Sequence, residues 1–454
     1  MGNAKQSLRI ALLNSADQAG GAETVVRALR DGLLARQHDV KLWVGRRVAE
    51  NDGEKRTFSI ARTDDNRATA ARFARKGFYG LGLPHSPVFC NSAEIRTADI
   101  VHLHNLHGHY LSITDVPRLA GSARLVWTLH DFFPLTGGCA FPEDCPGWLG
   151  TCGECPQVGH YPLSGPYDRT RRLQRIKRRT FRDLPVAIVV PSRHLEAAVH
   201  RSGAFRNADV HRIPYGVDTA RFRPARAAAR TVLGVAPDRP AVLLIAQGLD
   251  DPRKGLSYAA EALARVDVPN LVVLLVGGGD EASLSAVLER HEVRRLGYLT
   301  EQTELARCFA AADLMIFTSL AENFPCVVME AMACGTAVLA FAIDGVTEQI
   351  DAGRTGFLVP PRDVAALSET ATRQLLRLEP LRRVGDAARN YAEVHWRLQG
   401  FVSAHERLYE KLLAERLSGQ HLSDDRPRDP SRSINEFTAG EAFRSIPCAP
   451  ARQL

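Results

Sequence analysis

Ser319-Leu320-Ala321-Glu322-Asn323-Phe324-Pro325-Cys326-Val327-Val328-Met329-Glu330-Ala331-Met332-Ala333-Cys334-Gly335-Thr336 follows a short apolar run, Leu314-Met315-Ile316-Phe317. The run reads as a buried strand, the polar segment after it as a tight turn, and the segment from Val327 as a helix. Pro325 suits the first turn of that helix, where the amide proton it lacks has no intrahelical partner. A strand, a turn and a helix in this order aim free N–H groups back over the strand's carboxyl end, which makes a site for an anion. Glu322 in the turn and Glu330 in the helix, with seven residues between them, add two carboxylates. Such a pocket suits a ligand that carries both phosphate and hydroxyl groups.

The same alternation extends to both sides. Residues 8–13 read as a first strand, 14–21 as a polar turn containing Gly20 and Gly21, 22–29 as an amphipathic helix, and 40–44 as a second strand. This βαβ opening predicts a parallel sheet with helices on both faces. Further strands are expected at 99–104, 125–131 and 186–190, with 210–218 closing a first half. A second series follows at 241–245, 271–276, 295–298, 314–317, 337–341 and 356–359. The fold class is therefore α/β, with two doubly wound, Rossmann-like domains at 1–216 and 217–395. A C-terminal helix at 396–416 is expected to pack back on the first domain. Residues 48–95 show no clear period and read as irregular. The tail at 417–454, rich in Ser, Asp, Arg and Pro, reads as disordered.

A chain of 454 residues exceeds what one core usually organises. Fifty-eight Lys and Arg against 51 Asp and Glu, a net charge of +7, favour acidic partners. No apolar run reaches the roughly 18 residues of a membrane span. The first residues are too weakly apolar for a secretory signal, and Gln6 spoils the myristoylation pattern. Nine cysteines, an odd number in a long chain, argue against a secreted disulfide scaffold and for the cytoplasm. Gly277-Gly278-Gly279-Asp280 is not GxGxxG, so nicotinamide chemistry lacks its fingerprint.

Three clusters have both a bland and a functional reading. Cys139, Cys145, Cys152 and Cys155 have only one typical zinc spacing, the last pair; a structural zinc is one reading and reduced thiols the other. Four thiolates would close such a site and make it structural, with no catalytic metal. Residues 168–182 hold eight Lys and Arg among fifteen positions. They form either a solvated helix face or one that lies against anionic lipid. Nucleic acid is not expected, because no aromatic interleaving or known module accompanies them. Among His102, His104, His107, His109 and His130, the last, followed by Asp131 at the carboxyl end of a strand, is the functional candidate.

GGAE at 20–23, IPYGVDTARFRP at 213–224, DDPRKG at 250–255 and the Glu322/Glu330 pair, in this order and spacing, resemble the retaining GT-B glycosyltransferases of family 4 over residues 8–415. DIVHLHNLHGHYLS at 99–112 and LHDFFPLTGGC at 129–139 resemble a branch that builds bacterial exopolysaccharides, colanic acid among them. The resemblance implies two domains facing across a cleft. It also implies transfer of a sugar, with retention, from a UDP- or GDP-linked donor to a lipid-linked saccharide, at the inner face of the cytoplasmic membrane. Gly20 and Gly21 would receive the diphosphate, and Arg253 and Lys254 would balance the charge growing on it. Glu330 would hold the ribose. Glu322, with backbone amides of Asn323, Phe324 and Cys326, would hold the sugar, and His130 would lie beside it. Gly297 and Tyr298 fall where the base-binding loop sits. Together the resemblance marks His130, Glu322 and Lys254 as catalytic, without a cofactor. Many members carry an Arg where this chain has Gln247-Gly248-Leu249, and a Pro where it has Ala337. Glu322 as nucleophile and Glu322 as hydroxyl ligand both fit. The alternative is a silent nucleotide-sugar-binding protein on the same fold.

Overall fold

In a computed structural model that describes residues 6–18, 20–48, 56–60, 63–121, 123–206 and 208–417, two parallel sheets carry the chain. The first is built from β1 (Arg9–Ala16), β2 (Asp39–Arg46), β3 (Thr57–Ser59), β4 (Ile100–Leu103), β5 (Arg124–Thr128), β6 (Val186–Val190) and β7 (Asp209–Arg212). Its order is β3-β2-β1-β4-β5-β6-β7. The second comprises β8 (Ala241–Gly248), β9 (Val272–Gly278), β10 (Glu292–Gly297), β11 (Leu314–Phe317), β12 (Ala337–Phe341) and β13 (Phe357–Val359). Its order is β10-β9-β8-β11-β12-β13.

Strands β4, β6, β11 and β12 are buried at every residue, because helices cover both faces. That is why they read as unbroken apolar runs rather than as alternating ones. In the first half Trp127 anchors the core, with the rings of Phe181 and Phe205 centred 5.0 and 5.7 Å from it.

Each sheet winds outward in both directions from its first strand. The order reverses between β1 and β4 in one and between β8 and β11 in the other. At such switch points the loops leaving adjacent strands part and open a crevice at the carboxyl ends. Gly20 and Gly21 follow β1, His107 follows β4, Lys254 follows β8, and Glu322 follows β11.

Two expectations need correction. Residues 48–95 are not irregular throughout. They include β3 and helices at Thr63–Arg75, Ser86–Cys90 and Ala93–Arg96, while 49–55, 61 and 62 lie outside the described residues. The first of these helices is polar enough to hide its period, and the other two are a turn or so long. Pro325 is the N-cap of its helix, with ψ at 126°, rather than a residue of its first turn.

The chain passes between the two sheets at Val217 and returns at Trp396. Val217 N donates to Trp396 O at 2.7 Å, and Leu398 N to Val217 O at 3.1 Å. The final helix, Leu398–Leu417, then brings Glu406 to His38 (2.8 Å) and Arg36 (2.7 Å), and Tyr409 Oη to His102 (2.6 Å). The expected tail lies, from residue 418 on, outside the described residues. Among the described residues no helix is long and apolar enough to cross a membrane.

Candidate active site

A cavity of about 1920 Å³ opens where the two switch points meet. It is lined by Gly20, Gly21, His130, Arg253, Lys254, Glu322, Asn323, Phe324 and Cys326, nine of the residues singled out from the sequence. Glu330, Gly297 and Tyr298 are not among its lining residues.

Two helix N-termini meet across it. Gly20 caps the helix Gly21–Ala35, and Pro325 caps Cys326–Ala333 without any side-chain partner. Cys326 Sγ lies 3.9 Å from Gly21 O. A Cβ on Gly21 would meet the same sulfur at 3.8 Å, an ordinary contact, so the approach does not itself require glycine. Unpaired N–H groups and aligned peptide dipoles at both ends favour a negative ligand between them.

The cations stand beside this gap. Lys254 Nζ and Arg253 Nη1 contact Glu322 Oε1 at 2.7 and 3.0 Å. Burial pushes the Glu322 carboxyl up, but Lys254 and Arg253 outweigh it and hold the group below its ordinary value. Arg253 also donates to Ala321 O at 3.0 Å, and its guanidinium lies 4.6 Å from the centre of the Phe141 ring. Glu322 N donates to Asp344 Oδ2 at 3.1 Å, which fixes the turn that carries the carboxylate. Glu330, farther along the same helix, is 8% exposed, and burial pushes its carboxyl up to about 7. Tyr298, half exposed, packs against Gly278 at the end of the second sheet. Gln247 and Gly248 reach the cavity wall at the position where an Arg is expected of the family.

His130 reaches the cavity with both ring nitrogens engaged: Nδ1 with Tyr215 Oη at 2.6 Å and Nε2 with His104 Nδ1 at 3.0 Å. Burial lowers its pKa to about 4, so the ring is neutral near pH 7. Its carbonyl accepts from Asn323 Nδ2 at 3.1 Å, and Ser192 Oγ meets Asn323 Oδ1 at 2.6 Å. The Asn323 side chain thus ties the two halves together beneath the cavity.

All four clustered cysteines border a second, much smaller cavity and are free thiols. Among the described residues no group of three or more His, Cys, Asp or Glu is arranged to hold a metal ion. Cys145 and Pro142 face both cavities, which makes this loop a shared wall. The basic helix, Thr170–Phe181, buries Leu173, Gln174, Lys177 and Phe181. It holds the loop with bonds from Gln174, Arg171 and Arg178 to the carbonyls of Trp148, Cys152 and Gly150. Arg175, Arg179 and Arg182 stay exposed.

Sequence reasoning passed over His107, Asp131 and Tyr161 as a unit. His107 Nε2 meets Asp131 Oδ2, and His107 Nδ1 meets Tyr161 Oη, each at 2.9 Å. The first two were visible as His and Asp at strand ends, but Tyr161 arrives from the cysteine-bearing loop, which carries no period.

Profiles of two families match this chain: Glycosyltransferase Family 4 over residues 19–221 and Glycosyl transferases group 1 over 239–377. A glycosyl transferase of Escherichia coli K12 assigned by name to colanic acid biosynthesis, WcaC, is 27% identical over 56% of this chain and 63% of its own length. The chain spans less than two thirds of the curated relatives it matches. Sucrose-phosphate synthase from Thermosynechococcus elongatus superposes with a TM-score of 0.67 at 22% identity, over 89% of this chain and 99% of its own. HepE of Anabaena, solved in complex with UDP-glucose, gives 0.64 at 17% identity, over 90% and 99%. These likenesses carry the fold. Each Rossmann-like half is matched by its own family model, so the chain joins a Glycosyltransferase Family 4 domain to a Glycosyl transferases group 1 domain on a GT-B fold.

Proposed function

We propose that the protein transfers a sugar from a nucleotide-diphosphate donor, with retention, to a hydroxyl of a saccharide acceptor in polysaccharide synthesis. One observation carries this reading: two helix N-termini, Lys254, Arg253 and Glu322 converge on a single cavity. Breaking the anomeric C–O bond leaves oxocarbenium character on the sugar and negative charge on the diphosphate. The helix ends and Lys254 stabilise that charge, and Glu322 and the amides beside it hold the sugar hydroxyls. The donor domain is 217–395, with Glu330 at the ribose and Gly297–Tyr298 at the base. HepE, solved with UDP-glucose, supports a uridine nucleotide as the first donor to try. WcaC, named for colanic acid biosynthesis, supports an exopolysaccharide acceptor. In the proposed reaction that acceptor is lipid-linked and met at the cytoplasmic face of the membrane, with the exposed Arg175, Arg179 and Arg182 toward the lipid. His130 orients the cavity floor through its carbonyl and its bonds to Tyr215 and His104. A structural zinc would sit at the four thiols if these turned toward one another, and elemental analysis of protein purified without added metal tests it.

Melting curves with UDP and GDP test the main reading. A bound nucleotide adds the free energy of its mass action to the folded state and so raises Tm. No shift with either at millimolar concentration would overturn it.

A further inference from the structure

The wall of the cavity opposite Lys254 and Glu322 contains a directed chain of hydrogen bonds. Gly108 N–H donates to Tyr79 Oη at 3.2 Å. The Tyr79 ring stands edge-on to that of Tyr161, with centroids 6.5 Å apart. With the Asp131 carboxylate accepting from His107 Nε2–H at 2.9 Å, the other ring nitrogen is left as an acceptor, and Tyr161 O–H donates to it. Asp131 is itself held, its other oxygen accepting from Phe133 N at 2.8 Å. The loop that carries His107 turns through the left-handed region and needs glycine at 108. Gly108 and His109 both have positive φ, 113° and 60°, and a Cβ on Gly108 would come within 2.9 Å of Ser15 Cβ.

The chain of bonds fixes the Tyr161 ring while leaving it 67% exposed, and Tyr161, His107 and Asp131 all border the main cavity. The phenolic proton is committed to His107, so what the oxygen still offers a ligand is acceptor capacity. An exposed aromatic face beside a fixed acceptor is the chemistry that receives a sugar ring: apolar C–H groups on the face, a hydroxyl donating at the edge. Charge argues in the same direction. Away from the Gly20–Gly21 helix end, Asp131, Glu143, Asp144 and Glu154 border the first-half side of the cavity against Arg46 and Arg75, which disfavours a further phosphate there.

Building on the glycosyl-transfer reading, we propose that Tyr161, held by the His107–Asp131 pair, is the acceptor platform, taking an uncharged sugar ring with one hydroxyl donated to its oxygen. Asp131 and His107 act as positioning residues, and donor binding does not depend on them.

The test is saturation-transfer NMR of the full chain in the presence of UDP, with p-nitrophenyl glycosides of glucose, galactose, mannose and rhamnose as probes. At least one should bind the wild type. Tyr161→Ala should weaken that binding by about tenfold, Tyr161→Phe by about threefold or less, since the face remains, and His107→Gln by an intermediate factor. The melting shift given by UDP should be the same in all four proteins. Failure of all four glycosides to bind the wild type, or equal binding by Tyr161→Ala, overturns the platform. Loss of the UDP shift in the wild type strikes the transfer reading instead.

Discussion

Lys254 Nζ and Arg253 Nη1 share one carboxylate oxygen, Glu322 Oε1, at 2.7 and 3.0 Å. In the proposed reaction a donor diphosphate, which carries more charge than one carboxylate, would compete for both cations, and its arrival would free Glu322 for the sugar hydroxyls. The three residues would then act in exchange rather than as three separate contacts.

Lys254→Ala should lower the rate of nucleotide release from a nucleotide-sugar by about 10²–10³, the usual effect of losing one charge-stabilising donor. Steady-state kinetics with the donor varied would measure it. A variant within threefold of the wild type would mean that Lys254 does not meet the leaving group.

Burial raises the Glu330 carboxyl to about 7 from its ordinary 4.5. Between those values the folded state keeps a proton that the unfolded state has lost. Stability therefore falls as pH rises from 4.5 to about 7, and this contribution levels off above. Glu330→Gln should flatten that part of a plot of Tm against pH. Parallel plots for variant and wild type would show that the carboxyl titrates normally.

Asp313 lies beneath the second sheet with its side chain wholly buried. It accepts from Arg230 at 2.6 Å, from Ala241 N at 2.9 Å and from Arg226. Asp313→Ala leaves the buried Arg230 and the Ala241 amide without their acceptor and should cost about 3–5 kcal/mol. Urea denaturation gives the number directly, and a loss under 1 kcal/mol would contradict it.

Asn323→Leu strips partners from the His130 carbonyl and from Ser192 Oγ and should cost about 1–3 kcal/mol for each buried group left unpaired. Gly345→Ala should be worse, because its Cβ would fall 1.6 Å from Asn323 O, where only backbone could yield. Denaturation midpoints should rank wild type, Asn323→Leu, then Gly345→Ala. The reverse order of the two variants would relieve Gly345 of that role.

The strands were legible because buried parallel strands announce themselves: 186–190 and 337–341 were placed as they stand. That Glu322, Lys254 and the two glycines border one cavity was legible because strand-end turns are short and local. The bonds of His130 were not, since its partners, Tyr215 and His104, lie 85 and 26 residues away. The helix Thr63–Arg75 hid for another reason: its polar composition gives little period to read.

The last described helix supplies the polar partners of two buried residues near the start of the chain: Tyr409 for His102 and Glu406 for His38. A ribosome delivers the chain from the other end. Until roughly the four-hundredth residue has emerged, each imidazole has only its partner within the first half, Thr128 for His102 and the Leu8 amide for His38. The C-terminal helix therefore completes the polar pairing of that interior, and a chain cut before it leaves His38 and His102 each one side-chain partner short.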